Sequence, residues 1–463
     1  MAEQGSVCVR RRKAGERTAH RLPESVRGRR LRWCHPVSGS VSDRMVYASR
    51  EFAVSAPAGR TAWLGILGIG ENGVEGLSQR ARQWLVEADH VYGGTRHLTL
   101  AASLIGEAGI PWSSPLSSSL PALMEKRGRK VAVLASGDPF SYGIGPWLTD
   151  TLSREEWFCI PVPSCLSLAR SALGWAEVET ETVSLCGRPL ETLYPFLQPD
   201  GRVLILSADA STPALVAGEM TRRGFGSSTL WLMEALGGEA ERIRHSEAKT
   251  FSFSDIMPLN MLAVEVVADQ TARMLPLSAG LPDACFAHDG QITKQDVRAA
   301  TLAALSPHRG ELLWDIGCGS GSIAIEWLRH HPSMRAIGIE ADTVRAQRGR
   351  QNAHQLGVPR LNMIEGHAPE ALDGLPVPDA VFIGGGCSGV MISRCQAELR
   401  PGGRLVVNAV TLETEALLAG IYQTHGGRLT RLSVATVSEV GRLHAFRPAM
   451  TVTQWAWRKP LHD

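Results

Sequence analysis

Residues 312–328, LLWDIGCGSGSIAIEWL, constrain the fold of this chain more than any other stretch. A mostly apolar run leads into Asp315, glycines follow at 317, 319 and 321, and Ile323, Ala324, Ile325, Trp327 and Leu328 come next. The pattern predicts a buried parallel strand, a tight glycine turn and a helix packed back on the sheet. A Cβ in such a turn would forbid its dihedrals or hold a ligand off the backbone. A second apolar run, residues 336–339, ends in Glu340. An acidic residue at that strand tip is placed to accept hydrogen bonds from a ribose diol.

Two ligands suit this layout, a nicotinamide-type dinucleotide and S-adenosylmethionine (SAM). The glycine order is GxGxG rather than GxGxxG, and Asp315 sits two positions before the first glycine. A pyrophosphate would be repelled there, whereas a cationic ligand with an amino acid head tolerates the carboxylate. Both points favour SAM; the plainer role for Asp315 is a turn residue at a strand end.

At 463 residues the chain is too long for one ordinary core, so two domains are expected, with room for a third. Its formal charge of +2 conceals an imbalance, because residues 1–44 hold 11 Lys/Arg against 4 Asp/Glu and the remainder is mildly acidic. Nothing in that body calls for nucleic acid. Nine cysteines without a CxxC pair fit free thiols in a reducing cytoplasm better than disulfides or a zinc site. No apolar run reaches membrane-spanning length. Residues 1–60 lack periodicity and an apolar stretch after the basic part, so they read as a basic, disordered extension and not a secretory signal. An organelle leader or nucleic-acid tail is an alternative, but a translation start nearer Met45, with the upstream residues extraneous or a disordered extension, is preferred to either.

From residue 61 apolar strands alternate with helices, which means α/β architecture. Strands are expected at 63–70, 130–136, 159–163, 202–207, 229–234 and 262–267, with helices at 75–88, 117–126, 164–173 and 212–222. Polar, Pro- and Gly-containing residues 268–283 read as a linker between a domain at 61–267 and another at 284–463. In the second, Thr293 should cap a helix over 294–305, with Asp296 placed for a capping box. Strands at 336–340, 361–364, 379–383 and 404–409 complete an open, seven-stranded class of sheet with a closing hairpin after residue 428. Asp315, Glu340, residues 366–368 and Gly384–Gly386 then gather beyond the strands' carboxyl ends.

The motifs HDGQITKQDVR (288–298), WDIGCGSGSIAIEW (314–327), EGHAPEAL (365–372), VFIGGG (381–386) and NAVTLE (408–413) resemble the decarboxylating precorrin methyltransferase domain, a Rossmann-like SAM-dependent fold. Separately, LGIGENGVEGLS (67–78), EADHVYGG (87–94), SGDPFSYGIG (136–145) and PVPSCLSLARSALGW (161–175) resemble the two-part α/β tetrapyrrole methylase fold. The fused pair is similar to the precorrin C5,15-methyltransferases of cobalamin biosynthesis. The resemblance implies a metal-free polycarboxylate tetrapyrrole, precorrin-6Y (precorrin-6B), methylated at C5 and C15 and decarboxylated at the C12 acetate to give precorrin-8. It implies one SAM per methyl group, no metal, and self-association. C15 methylation with decarboxylation falls to the C-terminal domain and C5 to the N-terminal one.

On this basis Asp315, Gly317, Gly319, Gly321, Glu340, Ala368, Gly384 and Gly385 are candidate cofactor residues of the second domain, and Gly68, Gly70, Gly137, Asp138 and Pro139 of the first. Gly386 shares the second glycine run, and Asp138 serves equally well as a helix cap. No catalytic residue is singled out. Substrate-side candidates are His288, Asp289, Thr293, Lys294, Arg298 and Asn408, with Arg309 and, in the first domain, Arg188; acidic side groups call for such cations. Each has a bland alternative as a cap, loop brace or solvated charge. Many tetrapyrrole methylases carry His-Gly-Arg where this chain has Cys186-Gly187-Arg188. Competing readings are a nicotinamide-dependent oxidoreductase and a SAM-dependent RNA methyltransferase, the latter weakened by the lack of a basic–aromatic stripe.

Overall fold

Uninterrupted apolar runs become strands covered on both faces, and three sheets organise the computed structural model, which describes residues 62–461. The readings made on the basic extension and on a start near Met45 lie outside the described residues. Strands β1 (Leu64–Ile69), β2 (His90–Gly93), β3 (Gly109–Pro111), β4 (Val131–Ser136) and β5 (Trp157–Ile160) form a parallel sheet in the order β3-β2-β4-β1-β5. Strands β6 (Thr180–Ser184), β7 (Arg202–Leu206), β8 (Thr229–Glu234), β9 (Arg242–Glu247) and β10 (Asn260–Glu265) form a mixed sheet, β6-β7-β10-β8-β9. Only β6 and β7 run parallel in it. Half-buried Arg242, Arg244 and Ser246 alternate with exposed Ile243, His245 and Glu247, which marks β9 as a polar edge.

The third sheet holds β11 (Leu312–Ile316), β12 (Arg335–Glu340), β13 (Asn362–Glu365), β14 (Ala380–Ile383), β15 (Arg404–Ala409), β16 (Arg428–Leu432) and β19 (Val452–Arg458), in the order β13-β12-β11-β14-β15-β19-β16. Chain progression reverses between β11 and β14, the kind of switch point beyond whose strand ends ligands bind in open α/β sheets. Trp314, Trp327 and Trp455 are fully buried around this sheet. No helix among the described residues is long and apolar enough to cross a membrane.

The structure departs from the expectations in four places. The first helix begins at Gln79, capped by Ser78, because residues 73–76 take a tight 3-10 turn. A helix over Thr95–Ile105 was not foreseen; its cap is Gly94, which has no side chain to announce it. The helix after Thr293 spans Gln295–Leu305 with Lys294 at its cap, and since a lysine side chain has no acceptor, the capping box expected of Thr293 and Asp296 does not form. The expected C-terminal hairpin is two units: β16 pairs with β19 inside the sheet, while β17 (Ala435–Val440) and β18 (Leu443–Pro448) form a separate antiparallel ribbon.

The polypeptide halves touch directly. Arg223 stacks 3.2 Å from the Tyr194 ring centre and donates to the Gln355 carbonyl at 3.0 Å. Leu275 and Leu281, in the segment read as a linker, are buried in one cluster with Tyr194 and Trp327.

Candidate functional site

At the end of β11, Asp315 is almost wholly buried. Its Oδ2 accepts from the Ala324 amide at 3.0 Å and the Cys318 thiol at 3.2 Å, fastening the start of the helix Ser322–Arg329 to the strand. Its Oδ1 is buried with no partner among the described residues. Burial pushes the Asp315 carboxyl up to about 6, with nearby Glu340 adding to the shift and the two hydrogen bonds opposing it. Glu340, at the tip of β12, accepts from the Gly319 amide at 2.8 Å and the Asp342 amide at 3.0 Å. It thus braces the glycine turn in this state.

Gly317 has φ of 68°, and a Cβ there would stand 2.7 Å from the Gly385 amide. The turns after β11 and β14 therefore meet backbone to backbone. By contrast a Cβ on Gly386 has open space, one on Gly385 comes only to 3.9 Å from the Gly317 Cα, and one on Gly319 comes no nearer than 4.0 Å to another atom. The glycines thus divide into one that lets two loops meet and others that keep a surface clear. Gly321 caps the following helix, and Ala368 is half-buried beyond β13.

The lip ahead of this site is held from below. Fully buried Asn352 donates to the carbonyls of Ala287 and Ser320 at 2.9 and 2.8 Å and accepts from the Ala287 amide at 2.8 Å. It ties the His288 segment to the glycine turn, a role no sequence motif announced. His288 Nδ1 accepts from the Gly290 amide at 3.0 Å. Asp289 pairs with Arg345 and Arg348 at 2.9 and 3.0 Å. The Gln291 amide and these guanidinium groups hold its carboxyl well below the usual range, so it braces the lip and is unsuited to act as a base. Lys294 stays half-exposed, 3.8 Å from Asp283, and Arg309 is exposed.

Two substrate-side candidates are corrected. Arg298 is fully buried, bonded to Glu326 at 2.5 Å and Asp283 at 3.2 Å, and capped by the carbonyls of Leu281 and Thr293. Four of its five N–H groups are taken inside the fold, and its complete burial keeps it from a carboxylate outside. Asn408 donates to Thr301 Oγ1 at 2.9 Å and accepts from Gln454 at 3.0 Å, so its amide is spent on joining β15, β19 and the helix Gln295–Leu305. Thr293 contributes its carbonyl to Arg298 and is a support of the same kind.

A second site lies at the carboxyl ends of β1 and β4, where a cavity of about 420 Å³ opens between the first and second sheets. That is a size suited to a small organic ligand. Gly70 and Gly137 line it; Gly68, Asp138 and Pro139 do not. Gly68 is required for another reason: a Cβ there would collide with the Gly137 carbonyl, so strand and loop touch. Asp138 accepts from the Phe140 amide at 2.9 Å and shapes the turn without capping a helix. Pro139 is buried under Gly143 and Gly145. Exposed Cys186 lines the cavity and donates to the Ser207 carbonyl at 3.2 Å. Arg188 stands exposed at the mouth, 6.0 Å from the ring of Tyr142, whose hydroxyl donates to the Thr182 carbonyl of β6 at 3.2 Å. Sequence reasoning missed Glu71, Arg96, His97 and Ser136, which also line the cavity. The signal was available: Leu98, Ala101 and Ile105 follow a helical spacing that places Arg96 and His97 in a first turn after β2.

Two glycine-turn sites on two different α/β frames, joined in one chain, define a protein made of two methylase units. Residues 64–251 match the family model of tetrapyrrole (corrin/porphyrin) methylases, and residues 284–459 that of the precorrin methyltransferase domain. A precorrin-6Y C(5,15)-methyltransferase [decarboxylating] from Sinorhizobium is 50% identical over 407 residues, covering 88% of this chain and 98% of the relative. One from Mycobacterium tuberculosis is 37% identical over 400 residues, 85% of this chain and 99% of its own. A crystal structure of the C-terminal domain of the Rhodobacter capsulatus protein shares 46% identity over 40% of this chain and 100% of its own length, with a TM-score of 0.39. The chain belongs to the precorrin-6Y C(5,15)-methyltransferase (decarboxylating) family.

Proposed function

We propose that this protein is the SAM-dependent C-methyltransferase of cobalamin biosynthesis that methylates precorrin-6Y at C5 and C15 and releases the C12 acetate carboxylate as carbon dioxide, giving precorrin-8. The observation that carries this reading is the pairing of both methylase units, in one order and nearly full length, with relatives of that activity. Family membership implies SAM, and we assign one molecule to each methyl transfer.

The Asp315 site of the second domain suits SAM: an unpaired buried carboxylate oxygen on Asp315 suits a cationic head group, and the clear faces of Gly319 and Gly386 leave the backbone accessible. In this reading Gly317 and Gly321 set the turn, Glu340 exchanges its amide bonds for ribose hydroxyls, and Ala368 flanks the adenine. In the first domain Gly70 and Gly137 line the cavity that, in this reading, holds the second SAM. When bound, SAM supplies an electrophilic methyl group that needs alignment and exclusion of water more than acid or base assistance. The bridge carbon's electrons come from the enamine nitrogen, so the reading requires no resident metal. Lys294 and Arg188, exposed at the two rims, are placed for substrate carboxylates. We assign C15 methylation with decarboxylation to the third sheet's site and C5 methylation to the cavity.

The free cysteines among the described residues suit the cytoplasm. We also propose self-association, supported by the projecting ribbon, where Val437, Leu443 and Phe446 are largely exposed. The test of function is incubation with SAM and the reduced precorrin. Two added methyl groups and one lost carbon dioxide are expected; transfer to RNA alone, or tight NADPH binding without SAM binding, would overturn the reading.

A further inference from the structure

We infer that Ser136 and His97 form a proton-accepting pair in the first cavity, taking the hydrogen that the tetrapyrrole bridge carbon sheds after methylation there. The inference rests on the reading of this cavity as a methylation site. Ser136 ends β4 with its hydroxyl exposed to the cavity, and His97 stands in the first turn of the helix Thr95–Ile105. Ser136 Oγ lies 2.8 Å from His97 Nε2. Arg96 Nη2 reaches both, at 2.7 Å to Ser136 Oγ and 3.0 Å to His97 Nε2, while its Nη1 is ion-paired with Glu71.

The donor inventory fixes the protons. A guanidinium only donates, so His97 Nε2 must be the acceptor and its ring proton sits on Nδ1. That Nδ1 is buried with no partner among the described residues. The single Nε2 lone pair is shared by the Arg96 N–H and the Ser136 hydroxyl 2.8 Å away, and Ser136 Oγ faces the cavity. Burial first, and Arg96 second, pull the imidazole down to about 4, so it stays neutral and ready to accept. The rival groups in the cavity are occupied: the Glu71 carboxylate by Arg96, the Tyr142 hydroxyl by a backbone carbonyl. Burial pushes the Cys165 thiol up.

The chemistry needs such an acceptor. A bridge carbon that has gained a methyl group still holds its original hydrogen and faces an iminium, which makes the C–H bond strongly acidic. As that bond breaks, its electron pair returns to the ring nitrogen and restores conjugation. The proton passes to Ser136 Oγ while the hydroxyl proton moves to His97 Nε2, leaving an imidazolium that returns its proton to water. A poorly basic histidine suffices against so acidic a carbon, and Arg96 beside the imidazolium favours prompt release. Ser136 is the catalytic residue; His97 acts through it and is a positioning residue.

The test uses the full chain with SAM and the precorrin carrying hydrogen or deuterium at C5. Ser136→Ala and His97→Gln should each slow formation of the C5-methylated product about 100-fold, the scale of general-base catalysis. The deuterium isotope effect on that product should rise in both, while C15 methylation and carbon dioxide release persist as the control for folding. In the SAM-free chain, histidine 15N spectra should show His97 protonated on Nδ1, with its Nε2 resonance moved by Ser136→Ala. Wild-type rates and isotope effects in both variants, or an Nε2-protonated His97, would overturn the inference alone. A calorimetric titration finding one SAM site per chain where two are expected would overturn the reading of the cavity and the inference with it.

Discussion

Replacing Asp315 with Asn separates what this carboxylate costs the fold from what it gives the ligand. In the unfolded chain an aspartate loses its proton near its ordinary value, whereas in the folded protein burial delays that loss to about 6. Between those two values the folded state holds a proton that the unfolded state has released, so stability falls as pH rises through the window and stays reduced above it. A gap of roughly two units corresponds to about 3 kcal/mol. Asparagine carries no charge and its oxygen can keep the Ala324 amide bond, so Asp315→Asn should stabilise the SAM-free second domain by up to about 3 kcal/mol at pH 7.5. The gain should shrink at pH 5. Binding should move oppositely: if the cationic ligand restores the carboxylate to its ordinary value, losing the charge weakens SAM at this site about 100-fold. Urea denaturation at both pH values, with and without SAM, and calorimetric titration measure the two effects. A variant that is less stable than wild type at pH 7.5, or that binds SAM with unchanged Kd at both sites, would refute the reasoning.

Gly317→Ala places a methyl group 2.7 Å from the Gly385 amide in a left-handed backbone, so it should abolish C15 methylation and carbon dioxide release while mass spectrometry still detects the C5 methyl group. Arg298→Met strands the buried Glu326 charge and should destabilise the second domain by about 3–5 kcal/mol in chemical denaturation; a raised KM at normal stability would return Arg298 to the substrate. Phe446→Glu should lower the sedimentation coefficient if the ribbon joins copies of the chain, and an unchanged value would remove the ribbon from that role.

What was legible in the sequence follows from which physical effect dominates locally. β4 and β11 are buried on both faces along almost their whole length, so apart from Asp315 and Ser136 at their carboxyl ends their residues are apolar and the strands announce themselves. The glycine run at 384–386 and the turn after Asp315 were read as one site, and the 2.7 Å approach at Gly317 explains why. Arg298 was opaque because a lone arginine letter does not reveal whether its partners, Glu326 and Asp283, lie beneath it or in water. Asn352 and the Arg96–His97–Ser136 cluster were opaque for a related reason: each acts through residues from elements far apart in the chain. Gly94 hid a helix by capping it without a side chain. The ribbon β17–β18 reads like a continuation of the sheet because both are polar–apolar mixtures, and only pairing register distinguishes them.

The placement of β19 bears on how the protein is made. Val452–Arg458 is not an edge: it is zipped to β15 on one side and β16 on the other, with Trp455 fully enclosed. The glycine turn after β11 therefore sits on a sheet that stays open until residue 458 has left the ribosome. At 5–20 residues per second, the stretch beyond β10 takes roughly 10–40 s to synthesise. During that interval the first two sheets are already complete, and for roughly the last 2–10 s of it, once Ala409 has been made, β15 offers a bare hydrogen-bonding margin to any chaperone or neighbouring nascent chain.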